Sequence, residues 1–494
     1  MLRSLVAPLA VLGPAAACAG APAPGAPAPT GAAPPVGSSG APSAPAAGTP
    51  GTPSGSAPAT SAAAPAGAPV GPSLPFTHDD YGAARARARA AGRPLFVDAW
   101  APWCHTCISM QEYVMREPAL QPYSERLGFV GIDTDREENR EFVERFAIHV
   151  WPTFFVLDPT TEAVLGYWPG SASLAELRRF LDDALEAFDA SRSGRSPDPL
   201  LRKLLAAKAA QAKDRPVDAE RLYRSLVDDA PADWPRRSEV LLRWMMALVG
   251  SQKHAECVRV GEKHLDEIHG ASLPADFARY VSDCARHLGS AADRERALRR
   301  VERRLTALTG APPVEMAADD VSDALAILAD ARAALGDAAG ARAAHERRLA
   351  VMEEAAARAP SPQAAQTFDY GRANAYVALG RPDEAVRMLE ERERQLPDSY
   401  EPPARLASVL SRTGRPREAL VALERALKRA YGPRRLGYLE LKASLQARLG
   451  DREGAMATLE EEIRGWEAQR GAAAARDLAD ARARLARVRA GREP

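Results

Sequence analysis

The chain has 494 residues, long enough for about three domains rather than one core. Lys plus Arg equals Asp plus Glu at 65 each and the formal net charge is +0, so nothing in the charge balance points to nucleic acid or an anionic membrane surface as partner. Five cysteines are too few for a small disulfide-stapled scaffold.

In chain order, Met1-Leu2-Arg3 is a minimal basic stretch, Leu5 to Leu12 a short apolar one broken by Pro8, and Ala15-Ala16-Ala17 leads into Cys18. This is the pattern of an export signal over residues 1–18, too short to stay in a bilayer as a helix. Ala15-Ala16-Ala17-Cys18 resembles a bacterial lipobox, with Ala15 where that family usually has leucine. The resemblance implies lipidation of Cys18 and a periplasmic protein held at the membrane only through its N-terminal lipid. Cleavage at Ala17-Cys18-Ala19 or Ala19-Gly20-Ala21 would release a soluble secreted protein, and an uncleaved N-terminus is the third reading.

Residues 19–75 are almost wholly Ala, Pro, Gly, Ser and Thr, and no Asp, Glu, Lys or Arg falls between Arg3 and Asp79. Such a segment cannot bury enough apolar surface to offset chain entropy, so a disordered linker is expected. As a flexible chain it would span about 40 Å, which suits a tether without specific contacts.

Residues 76–190 change character. Pro94 to Trp100 reads as a buried strand, followed by a helix starting near Cys104, a strand at Phe129–Asp133 and a helix from Asn139 to Phe146. Strands at Thr153–Leu157 and Ala163–Tyr167 come next, then an amphipathic helix from Ser173 to Phe188 with a serine cap. This is an α/β pattern with a mixed sheet.

Ser191 to Asp198 is a polar linker, and residues 199–486 read as helices of about 12 to 15 residues separated by Gly- or Pro-bearing turns. Gly380-Arg381-Pro382-Asp383-Glu384-Ala385 recurs as Gly414-Arg415-Pro416-Arg417-Glu418-Ala419 and again from Gly450, with a distant copy from Gly336. The first two copies lie about 34 residues apart. Ala373 and Ala407 precede the glycines, Leu389 and Leu423 follow them, and Pro397 closes one unit. The segment resembles the tetratricopeptide repeat family, most clearly over residues 366–462. That resemblance implies an all-α solenoid whose concave groove takes a peptide or protein partner.

The chemistry is carried by Cys104-His105-Thr106-Cys107. A Cys-x-x-Cys at a strand-to-helix turn puts the first sulfur at a helix N-terminus, where free amides and the helix dipole favour a thiolate. Two intervening residues bring the second sulfur within bonding reach. A zinc site would need two further ligands, and Cys257 and Cys284 form no second pair of this kind, so no metal is expected.

Val97-Asp98-Ala99-Trp100-Ala101-Pro102-Trp103-Cys104-His105-Thr106-Cys107 resembles the thioredoxin active-site segment, and Val150-Trp151-Pro152-Thr153 sits where that family has its cis-proline loop. The closest likeness is to the C-terminal periplasmic domain of DsbD-type thiol:disulfide interchange proteins, in which the helix runs on to a turn like Arg116-Glu117-Pro118-Ala119-Leu120. The resemblance implies Cys104 as attacking nucleophile, Cys107 as resolving thiol, Asp98 as the buried carboxylate that handles the Cys107 proton, and Pro152 in the cis form. Trp103 would cover the disulfide, and Trp103, Trp151 and Thr153 would meet the substrate. No cofactor beyond the Cys104–Cys107 disulfide is expected. A lysine that many relatives carry near the aspartate is absent, its place falling near Gly131.

Each residue has a plainer reading. Asp98 would then be an exposed strand-end residue, Pro152 part of an ordinary trans turn, and Trp100, Trp103 and Trp151 packing. His105, with Thr106 the tuning pair of the motif, either lowers the Cys104 pKa and makes the site more oxidising or faces solvent as a filler. Cys257 and Cys284 are read as two small buried residues in helix packing, with a structural disulfide as the alternative.

Together these features point to a cell-envelope thiol–disulfide oxidoreductase, a reductase by resemblance, acting on protein thiols and disulfides. The alternative is an interaction or assembly protein in which the solenoid works and the thioredoxin-like module is an accessory.

Overall fold

A computed structural model describes residues 74–469 and 471–492. The expected export signal, Cys18 and nearly all of the expected linker lie outside the described residues.

The first module runs β1 (Thr77–His78), α1 (Tyr81–Ala90), β2 (Leu95–Trp100), α2 (His105–Glu112), β3 (Gly128–Asp133), α3 (Arg140–Arg145), β4 (Thr153–Leu157), β5 (Val164–Pro169) and α4 (Leu174–Arg192). The sheet order is β1-β3-β2-β4-β5. β2 lies parallel to β3 and antiparallel to β4, so the mixed sheet is present with β2 at its centre. A central strand is covered on both faces, which is why Leu95, Phe96, Val97 and Ala99 form a nearly unbroken apolar run. α4 starts on a reciprocal cap, in which Ser173 accepts from the Glu176 N–H and Glu176 accepts from the Ser173 N–H.

β1 and α1 were not legible. β1 has two residues, and α1 alternates Ala and Arg with only Ala84 and Ala88 buried, too little apolar surface to show a helical period. After α2 the chain does not continue as α-helix. It turns through 3-10 segments at Val114–Arg116 and Pro118–Glu125.

The second module is all helix. Its members are α5 (Pro199–Ala212), α6 (Pro216–Asp229), α7 (Arg237–Gly250), α8 (His254–His264), α9 (Leu273–Arg286), α10 (Ala291–Gly310), α11 (Ala318–Ala334) and α12 (Ala338–Arg358). They continue as α13 (Pro362–Ala378), α14 (Pro382–Gln395), α15 (Glu401–Arg412), α16 (Pro416–Leu427), α17 (Gly432–Arg448), α18 (Arg452–Ala468) and α19 (Gly471–Arg489). Several helices exceed the expected length; α10 has 20 residues and α12 has 21.

The repeated glycines turn the hairpins. Gly336, Gly380, Gly414 and Gly450 have φ of 82°, 74°, 77° and 83°, with no atom within 4 Å of an added Cβ, so backbone conformation alone calls for glycine there. The next residue's N–H closes each helix: Arg381 donates to Tyr376 O at 2.8 Å and Arg415 to Leu410 O at 2.9 Å, a Schellman bond. Ala385, Ala419, Leu389 and Leu423 are fully buried where the paired helices meet.

Cys257 on α8 and Cys284 on α9 are bonded, Cα to Cα 6.2 Å. This corrects the packing reading: the neighbouring helices bring both thiols to one buried point, which sequence spacing could not reveal.

The modules meet on two sides. On one, α4 and β5 share a continuous apolar core with the first solenoid helices, joining Phe180, Leu181 and Phe188 to Leu204, Tyr223 and Leu248. On the other, α2 packs against α13.

Candidate redox site

The strand-to-helix turn after β2 places both sulfurs. Cys104 is the N-cap of α2; its Sγ accepts from the Cys107 N–H at 2.9 Å, and the two cysteines are bonded. This amide contact is the local interaction that would favour a Cys104 thiolate once the pair is reduced. Cys104 is 5% exposed and Cys107 1%.

Asp98 is buried in β2, which is not the exposed strand-end position of the plainer reading. Gln111, one helical turn beyond Cys107 on α2, donates its Nε2 to Asp98 Oδ2 at 2.9 Å. Asp98 thus lies beside the face of α2 that carries Cys107. Burial pushes its pKa up to about 7, with the Gln111 hydrogen bond pulling the other way. A carboxyl of that pKa can take or return a thiol proton near neutral pH. Gln111 was missed by sequence reasoning, although its i+4 spacing from Cys107 was a usable signal. Gly131 pairs with Asp98 across β2 and β3, and a Cβ on it would come within 2.9 Å of His78 Nδ1. A side chain at position 131 would require the exposed His78 ring to move aside.

The Trp151–Pro152 peptide is cis, and Pro152 O accepts from the Gly170 N–H at 2.8 Å. Trp103 and Trp151 pack against Ala101, Cys104 and Cys107 with ring centroids 5.1 Å apart. Trp103 Nε1 donates to Asp135 Oδ2 at 2.7 Å, and Trp151 Nε1 to Thr134 Oγ1 at 2.8 Å. Thr153 departs from its expected role: it is fully buried and gives its hydroxyl proton to Val150 O at 2.6 Å, leaving no side chain for a substrate. Thr106 is half-buried on the first turn of α2.

His105 is not a solvent-facing filler. Its ring stacks on Tyr370 of α13 with centroids 5.2 Å apart, and its Nε2 lies 3.9 Å from Asp323 Oδ2 of α11. Asp323 is held down at about 2; burial opposes this, and His105, Arg279 and Arg348 outweigh it. No residue of the solenoid was foreseen at this site, because nothing local in the sequence links positions so far apart. Among the described residues no group of three or more His, Cys, Asp or Glu is placed to hold a metal, and no helix is long and apolar enough to cross a membrane.

Residues 77–159 match the thioredoxin-like family model.

With that match, the first module is thioredoxin-like and the chain is a thioredoxin-like domain followed by a tetratricopeptide-like helical solenoid. No curated protein matches the chain. Similar solved structures include a tetratricopeptide repeat protein from Parabacteroides merdae, 14% identical over 57% of this chain and 98% of that one, with a TM-score of 0.36. A thermophilic tetratricopeptide repeat protein of Thermus thermophilus is 20% identical over 42% of this chain and 99% of that one, with a TM-score of 0.28. The repeat character of the solenoid stands on its own glycine-turned hairpins.

Proposed function

We propose that the chain is a cell-envelope protein thiol–disulfide oxidoreductase that works as a reductase. The observation that carries this reading is the Cys104–Cys107 pair at the start of α2, with the Asp98 carboxyl held by Gln111 on the Cys107 side of that helix.

In the reduced chain, the Cys104 thiolate attacks one sulfur of a client disulfide, forms a mixed disulfide and expels the first client thiolate. Cys107 passes its proton to Asp98 and attacks Cys104 Sγ. The Cys104–Cys107 bond forms, the second client thiolate leaves, and two electrons have moved to the client. A dithiol donor in the envelope then reduces the pair again. Lipidation of Cys18 would anchor the protein at the membrane on its Ala- and Pro-rich segment, and the solenoid would recruit the client or an assembly partner.

A Cys107→Ser variant expressed in the native envelope should accumulate mixed disulfides through Cys104, and Cys104→Ser should accumulate none. Absence of any captured partner would sink the reading. The reduction potential of the pair fixes the direction: about −270 mV marks a reductase and about −120 mV an oxidase. The second reading, an interaction protein with an accessory module, draws on the 5% exposure of Cys104, and the same capture experiment separates the two.

A further inference from the structure

We propose that the alternate solenoid helices α11, α13, α15 and α17 form a docking surface for the thioredoxin-like module of the same chain, and that the docked state withholds Cys104 from protein clients until it is released. The proposal rests on the oxidoreductase reading above and adds its regulation.

The surface around the sulfurs that a client would need is already taken. Tyr370 of α13 lies on His105, and Asp323 of α11 faces the edge of the same ring. Arg405 of α15 donates Nη2 to Trp103 O at 3.2 Å, and the Arg434 guanidinium of α17 sits 4.8 Å from the Trp103 ring centre. Tyr431 donates its hydroxyl to Asp133 Oδ2 at the end of β3. Alternate helices of the array, α11, α13, α15 and α17, thus each contribute a side chain to one continuous contact. The partner that fits this surface is therefore written into the same chain.

The chemistry of the two module contacts differs, and this difference makes release reasonable. The contact through α4 is an uninterrupted apolar core, which does not part without unfolding. Over the redox loop, Trp103 packs on the cluster formed by the later helices and Tyr113 meets Phe368 of α13 with ring centroids 6.1 Å apart. The other contacts named above are a histidine–carboxylate contact, ring stacking and hydrogen bonding. Water can replace such polar contacts at modest cost. One end can open while the other holds.

α17 also offers a place to test the contact. An added Cβ on Gly432 would lie 1.9 Å from Asp135 O, so the two backbones touch with no room for a side chain. Gly432→Ala is a wedge, and Arg434→Ala removes the cover on Trp103 without creating a clash.

The experiment uses the full chain and both variants, with circular dichroism to establish folding. Each is pre-reduced and its Cys104–Cys107 pair is re-oxidised by insulin, as a protein disulfide, or by 5,5′-dithiobis(2-nitrobenzoate), as a small aromatic one that releases two thiolates as the pair closes. If docking limits access, the reactive fraction scales the rate with protein, so loosening should raise the insulin rate by about tenfold and leave the small-disulfide rate within about twofold. Equal insulin rates in the wild type and both folded variants would overturn the docking proposal while leaving the oxidoreductase reading intact. Failure of the pair to exchange with 5,5′-dithiobis(2-nitrobenzoate) in any form would instead sink the oxidoreductase reading. Gly432→Ala carries an added strain at φ 57°; should it not fold, Arg434→Ala alone decides.

Discussion

Gln111 reaches back from the helix that carries Cys107 to donate to Asp98 Oδ2 at 2.9 Å, while Asp98 Oδ1 has no hydrogen-bond partner among the described residues. Half of a buried carboxyl is thus left unsatisfied, the condition that pushes its pKa from 3.8 to about 7. With the folded value above the unfolded one, the folded chain binds more protons between these limits. Asp98 therefore favours folding at low pH, and that contribution is lost as pH rises through about 7. Asp98→Asn should raise the stability of the oxidised protein by about 2–4 kcal/mol at pH 8 and by much less at pH 5, while slowing disulfide exchange. Thermal melts at the two pH values check this; a gain independent of pH would argue against a titrating Asp98.

The bond between Cys257 and Cys284 closes a sequence separation of 27 residues. In the chain-entropy picture its loss costs about 3–4 kcal/mol. The Cys257→Ala/Cys284→Ala variant should melt several degrees lower, and its Cys104–Cys107 pair should keep the wild-type reduction potential. A shifted potential would mean that the two disulfides communicate.

Gly380 sits at φ 74° with open space around its Cβ position. Gly380→Ala should therefore cost about 1–2 kcal/mol through backbone strain alone. Gly380→Asn should cost less, because asparagine tolerates the left-handed region. Equal loss from both substitutions, measured by chemical denaturation, would point to a steric cause.

Lys208 Nζ lies 2.7 Å from Glu239 Oε1, with side chains 2% and 8% exposed. Lys208→Met should cost about 3–5 kcal/mol by stranding the Glu239 charge, whereas Lys208→Met with Glu239→Leu should recover much of that. A double variant as unstable as the single one would show that the pair matters through shape rather than charge.

The central strand and the cysteine-bearing turn were legible because their signals are local: an apolar run broken by one aspartate, then two cysteines at helical spacing. The glycine copies were legible for the same reason, since each marks a left-handed turn that its own hairpin requires. β1 was too short to register, and α1 buries only Ala84 and Ala88. What sequence could not supply was pairing between distant segments. His105 was read as either a tuner or a filler because its neighbours Asp323 and Tyr370 come from α11 and α13. Cys257 and Cys284 were likewise left as packing because only the α8–α9 hairpin brings them together.

The apolar seam along α4 makes the polypeptide a poor candidate for dissection. Cutting after Gly194 would uncover Phe180, Leu181 and Phe188 on one fragment and Leu204, Tyr223 and Leu248 on the other, a greasy stripe on each. Such pieces would self-associate and report stickiness in pull-downs. Partners of this protein are best sought with the intact chain.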